Sequence, residues 1–184
     1  MAGPIHYELY VRKTAPAPWG LQMATEDRSQ AIEQAETLLE QPLQEGIAKA
    51  KQLQAEWKKI GPVRQPESDQ IWERFMKACD KVFELSNADY VLRKKQNITD
   101  KTSKQQHNQA RINLLTDFIK GDRQELDVLE TNLGKLAPIP NNEAFREMLQ
   151  NKIRSFNRRI ATKQELITYL KGQPLKEAEQ SPKE

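Results

Sequence analysis

One cysteine, two histidines and a few acidic pairs are all that this 184-residue chain offers to covalent or metal chemistry. Cys79 would need a neighbouring base to act as a nucleophile. It falls mid-helix among apolar residues, with His6 and His107 remote in sequence, so it reads as an inert core thiol. The histidines and the cysteine have no metal-ligand spacing, and no metal site is expected. A phosphate loop requires a glycine-rich turn ending in Gly-Lys-Ser/Thr, whereas Gly61-Pro62 and Gly134 stand alone; no nucleotide or other cofactor is expected. Glu143 and Glu147 lie one turn apart at a helix start, where negative charge is favoured, and read as solvated carboxylates. The sequence therefore predicts no enzymatic activity and no small-molecule substrate.

Two other residue sets bear on binding. Trp57 and Trp72 could stack a base or a ligand, but the burial habit of tryptophan makes packing anchors the preferred reading, with the two rings meeting across the Gly61-Pro62 connector. The second set is basic. Arg93, Lys94, Lys95, Lys101, Lys104 and Arg111 form one cluster; Lys152, Arg154, Arg158, Arg159, Lys163 and Lys171 form another. If a turn near Ala137 is the centre of a helical hairpin, position 163 lies opposite about 111, which would gather Arg158, Arg159, Lys163, Lys104 and Arg111 at one end. Such an end could neutralise phosphates on RNA or a ribosome. Charge runs on helices are usually solvated faces, so a protein partner is the preferred expectation and RNA the alternative.

The elements that must position these residues are mainly helical. From Leu43, the residues Ile47, Ala50, Leu53, Trp57 and Ile60 recur at steps of three and four; Ile71, Trp72, Phe75, Ala78/Cys79 and Val82/Phe83 repeat the pattern. Gly61 and Pro62 can end the first helix, so residues 42–85 are expected as a two-helix unit. Upstream, Ile5, Tyr7, Leu9 and Val11 alternate with polar residues, and Trp19, Leu21 and Met23 resume a period of two through Thr25. With Asp27 and Gln30 as a capping box, residues 1–41 are expected as a small β-hairpin followed by a helix, and Gln41-Pro42 as a junction between two unrelated pieces.

Downstream, Leu85-Ser86-Asn87-Ala88-Asp89 could break the helix, and a long helix is expected from about 89 because no Gly or Pro precedes Gly121, with the polar run from Lys101 to Gln109 reading equally as a solvated helix or a frayed linker. Its later part carries a seam of Ile112, Leu115, Ile119, Leu126, Leu129 and Leu133, with Asp122 at a skipped position. Asn132-Leu133-Gly134 ends it, and a proline-stiffened turn leads to a helix from Glu143 to Lys171, capped by Asn141 or Asn142. That helix bears a second seam of Phe145, Leu149, Ile153, Phe156, Ile160, Ile167 and Leu170, interrupted by Lys163. Residues 86–171 are thus expected as a long antiparallel, coiled-coil-like hairpin, and residues 172–184 as a disordered tail.

The stretch from Leu53 to Glu84 reads Leu-Gln-x-Glu-Trp-Lys-x-Ile-Gly-Pro-Val, then Ser-Asp-x-x-Trp-x-Arg-Phe-x-x-Ala-Cys-Asp-x-x-Phe-Glu. This resembles a bacterial helical family catalogued as domain of unknown function 349, over residues 43–84 and more faintly to 171. The resemblance implies a small helical unit without an agreed activity, and marks Trp57, Gly61, Pro62, Trp72, Phe75, Cys79 and Phe83 as its structural motif. The connector Arg64-Gln65-Pro66 departs from the family pattern, in which a proline follows Gly-Pro-Val directly. Residues 1–40, with His6-Tyr7-Glu8-Leu9-Tyr10-Val11-Arg12, resemble the opening of small proteobacterial proteins of unknown function.

Composition agrees with long solvated helices: 37% of residues are hydrophobic, 7% aromatic and 30% charged, and the mean hydropathy is -0.83. The formal net charge of +3 does not by itself announce nucleic acid. A lone cysteine suits a reducing compartment, and no leader or membrane-spanning run is read in the sequence, so the expected location is the cytoplasm.

Overall fold

The computed structural model describes residues 17–60, 67–95, 98 and 102–172. These form five α-helices: α1 (Ala17–Glu36), α2 (Leu43–Trp57), α3 (Glu67–Lys95), α4 (Lys104–Lys135) and α5 (Glu143–Lys171). Short 3-10 turns at Leu38–Glu40 and Pro140–Asn142 precede α2 and α5. The expected strand at 5–12, the Gly61–Pro66 connector and the tail from 173 lie outside the described residues.

The second strand of the expected hairpin is corrected, because residues 19–25 belong to α1 and no strand occurs among the described residues. Three alternating apolar residues are too few to override Ala17, Leu21, Gln22, Met23 and Ala24, which all favour helix. Pro18 falls in the first turn, where its missing N–H costs little. Asp27 and Gln30 consequently lie inside a helix and not at its start.

The chain divides into two compact units, residues 1–83 and 84–184. In the first, Ala31, Ile32, Ala35 and Leu38 share one core with Ala50, Leu53 and Trp57 of α2 and with Phe75, Ala78, Cys79 and Val82 of α3. The boundary expected at Gln41-Pro42 thus falls inside a single packed core. Gly46 explains how closely the layers approach, since a Cβ there would lie 2.9 Å from the Leu38 carbonyl oxygen and 3.4 Å from a Val82 methyl. At the rim of this core the Arg74 guanidinium pairs with Glu36, with Nη2 donating to Oε2 at 2.9 Å.

In the second unit, α3 continues through residues 85–89, which could have broken it, because Leu85, Ala88 and Leu92 lie on one buried side of the helix. The break comes later. α4 begins at Lys104, where the Ser103 hydroxyl accepts a hydrogen bond from the Gln106 N–H at 3.2 Å, so the single long helix expected from residue 89 is two helices. α4 runs one residue past Gly134 to Lys135. Asn142 stands at the N-cap of α5, but its side-chain amide donates to the Ala137 carbonyl at 3.0 Å and ties the turn to itself.

α4 and α5 pack antiparallel, with Leu115, Ile119 and Asp122 buried on one and Ile160, Lys163, Leu166 and Leu170 on the other. Asp122 meets Lys163, which corrects the expected register of 163 against 111. Twenty residues separate Lys163 from the start of α5 but thirteen separate Asp122 from the end of α4, so α5 overshoots by about seven residues, or about 10 Å. The cause is the turn. Leu136 and Ile139 are extended, and extended residues rise about 3.3 Å each, carrying the chain past the end of α4 before α5 begins. Phe145, expected within the seam, lies on this overhang and is exposed.

Candidate interaction surfaces

Two polar junctions organise the second unit. Lys163, only 2% exposed, donates from Nζ to Asp122 Oδ2 at 2.8 Å and to Glu84 Oε1 at 2.9 Å, joining α5 to α4 and α3. Arg159, one turn earlier on α5, places Nη2 3.1 Å from Asp122 Oδ1, and its guanidinium lies over the Phe156 ring. The two polar interruptions noticed in the apolar seams are therefore partners. Charge-assisted hydrogen bonds satisfy groups that would otherwise be expensive to bury, and they set which residues of the two helices stand level.

At the second junction, Asp89 of α3 is gripped by Arg111 of α4 through Nε and Nη2, each at 2.6 Å, in a bidentate pair. His107 Nε2 lies 3.1 Å from Asp89 Oδ1, and Arg111 Nη1 donates to buried Asn108 at 3.2 Å. Of the five cations expected to share a phosphate-binding end, Lys163, Arg159 and Arg111 thus face carboxylates of their own chain. Arg158 is half-buried and Lys104 is exposed at the start of α4. The structure does not gather these five on one surface.

The motif residues of the first unit separate into core and rim. Trp57, 7% exposed, stacks on Phe75 with ring centroids 4.0 Å apart and planes 10° apart, while the Arg28 guanidinium lies 4.8 Å from the Trp57 ring centre on the other helix of the layer. Trp72 remains 38% exposed, so the expected meeting of two tryptophans is corrected to a Trp–Phe stack. At 100° per residue, Ile71, Phe75, Cys79 and Val82 centre the buried stripe of α3 and Trp72 falls at its edge. Phe83 is partly buried against the same core, and Gly61 and Pro62 lie outside the described residues.

Cys79 is fully buried, and burial, assisted by the negative charge of Asp80, pushes its thiol up to about 12. A folded pKa above the unfolded value of about 9 means that stability is intact below pH 9 and is lost as pH rises from there through about 12. Relative to Cys79→Ala, the wild type should lose up to about 1.4 kcal/mol per pH unit across that window in urea titrations. A thiol reagent at neutral pH should label Cys79 only at the rate of unfolding; rapid labelling of the native protein would contradict the burial.

The start of α5 is exposed although its apolar spacing matches that of the buried seam. Phe145 and Met148 keep 49% and 41% of their surface exposed, and Ile139 is exposed in the preceding turn. A shallow open trough beside them is lined by Ala144, Glu147, Met148, Asn151, Lys152 and Ser155. Among the described residues, no three His, Cys, Asp or Glu side chains come together in a way that would hold a metal ion, and no described helix is long and apolar enough to cross a membrane.

In a comparison with known families, residues 21–66 match the family described as Domain of Unknown Function (DUF349). This span is about a quarter of the chain. It covers most of α1, the whole of α2 and the connector, crosses Gln41-Pro42, and stops before Trp72, Phe75, Cys79 and Phe83. Neither a curated protein nor a solved structure matches the chain.

Proposed function

For a chain whose residues 21–66 match the domain of unknown function 349 family, we propose a non-enzymatic, cytoplasmic interaction protein that receives a helical segment of a protein partner along the start of α5. The observation carrying this reading is the overhang, where Phe145 and Met148 stand largely exposed beside an open trough. Large apolar side chains clustered at one place are a marker of protein contact, because water gains by their removal. From Ala144 to Ser155 the trough is about 17 Å long, the footprint of three turns of a partner helix. Small Ala144 and Ser155 let a backbone approach at either end, Met148 can adapt its shape to what it meets, and Glu147 and Lys152 flank the trough with opposite charges that would orient a helix.

The test is a double substitution, Phe145→Ser with Met148→Ser. Both side chains are exposed, so melting should shift little, while capture of protein partners from lysate should fall and should be insensitive to nuclease. Capture that persists in the double variant, or that disappears with nuclease in the parent, would overturn this reading.

A further inference from the structure

The last turns of α3 form a surface of different chemistry from the overhang. Tyr90 is 58% exposed, the Lys94 ammonium lies 5.0 Å from its ring centre, and Arg93, Lys94 and Lys95 close the helix. At 100° per residue, Tyr90, Arg93 and Lys94 fall within an arc of about 100° on the side opposite the buried Leu85, Ala88 and Leu92. Asn87, also exposed, shares that side.

Favourable interaction with the helix dipole would account for cations in a last turn, but not for an exposed aromatic ring among them. The neighbouring acids do not offset the charge. Asp89 points to the other side into its bidentate pair with Arg111, and Glu84 is taken by Lys163. What remains among the described residues of α3 is a face carrying cations, an amide and a flat ring, without an acid.

We propose that this face binds single-stranded nucleic acid, with a base stacked on Tyr90 and the adjoining phosphates held by Arg93 and Lys94. The combination suits that ligand and not a duplex: an unpaired base has a free face for the ring, whereas a paired one is covered by its neighbours. Lys94 lies over one face of the ring, so a base stacks on the other face and the ammonium stays within reach of the phosphate that accompanies it. Asn87 can donate to or accept from that base or its sugar without demanding one sequence. Binding should be strongly salt-dependent and nearly indifferent to sequence.

Fluorescence anisotropy of the full chain with labelled oligouridylate and oligoadenylate, titrated with salt, tests this. Tyr90→Ala should weaken binding about tenfold or more with the salt slope unchanged, and Tyr90→Phe should bind like the parent. Arg93→Gln and Lys94→Gln should each lower the slope by about one. Arg158→Gln with Arg159→Gln should leave binding as it was. All the substituted side chains on the α3 face are exposed, and circular dichroism would verify that the variants remain helical. The proposal is overturned if the parent shows no salt-sensitive binding at low ionic strength. It is equally overturned if Tyr90→Ala binds as the parent does, or if polyglutamate or anionic lipid vesicles compete as well as RNA, since each means a general polyanion surface. These outcomes are independent of the Phe145 and Met148 experiment, which concerns another helix.

Discussion

Replacing Lys163 with methionine should cost about 3 kcal/mol of folding stability, far more than an average substitution on a charged helix. The reason is what stays behind. Lys163 is the shared donor to Asp122 and Glu84, and without it two carboxylates face one another at the meeting of three helices, with Arg159 still beside Asp122 but further into solvent. Methionine matches the length of the lysine stem, so the loss isolates charge from volume. A combined Glu84→Gln, Asp122→Leu and Lys163→Met variant should return to within about 1 kcal/mol of the parent or exceed it, because an apolar filling avoids the desolvation of buried charge. Urea unfolding would read both. A cost below about 1 kcal/mol for Lys163→Met, or no recovery in the combined variant, would show that the junction does not bear on stability as its burial implies.

Trp57→Ala should cost about 3–5 kcal/mol, and Trp72→Ala only about 1 kcal/mol. Trp57 loses three things at once: a buried surface, its stack on Phe75, and the ring beneath the Arg28 guanidinium. That arginine is itself buried, so the space left by the indole borders a charged group and will not relax as an apolar cavity would. Trp72 lies at the edge of the stripe and keeps much of its solvent contact in the folded protein. Equal losses in thermal unfolding would place the two rings in equivalent environments and contradict this assignment.

Much of the second unit is legible in the residues themselves. The period of the apolar positions and the proline-stiffened turn place a helix from Glu143 to Lys171, and α5 has those bounds. The same periodicity picks out Asp122 and Lys163 as polar residues on inward faces. It cannot pair them, because pairing depends on how far the chain climbs through the turn, and extended Leu136 and Ile139 add a rise that helical counting leaves out. An error of several residues in that register sent Lys163 toward Arg111 and a shared basic end, whereas packing gives each of these cations its own carboxylate.

In the first unit the core positions of α2 and α3 follow from spacing, and so does the burial of Cys79. Which aromatic residue meets Trp57 does not, since Trp72 and Phe75 are both apolar and one turn apart, and only the direction from which α2 approaches distinguishes centre from edge. Gly46 was equally silent, for its role depends on a carbonyl eight residues earlier in the chain that folds back against it. At Trp19–Thr25, alternation over three apolar residues competed with helix propensity, and propensity matches the result. The amino-acid sequence by itself determined where α2 and α5 lie and which of their residues form apolar seams, because those are properties of neighbours a turn apart. The tertiary structure decided which charges are consumed internally and which sides are left exposed, because that depends on distances between helices, and these are set by turn geometry and side-chain volume.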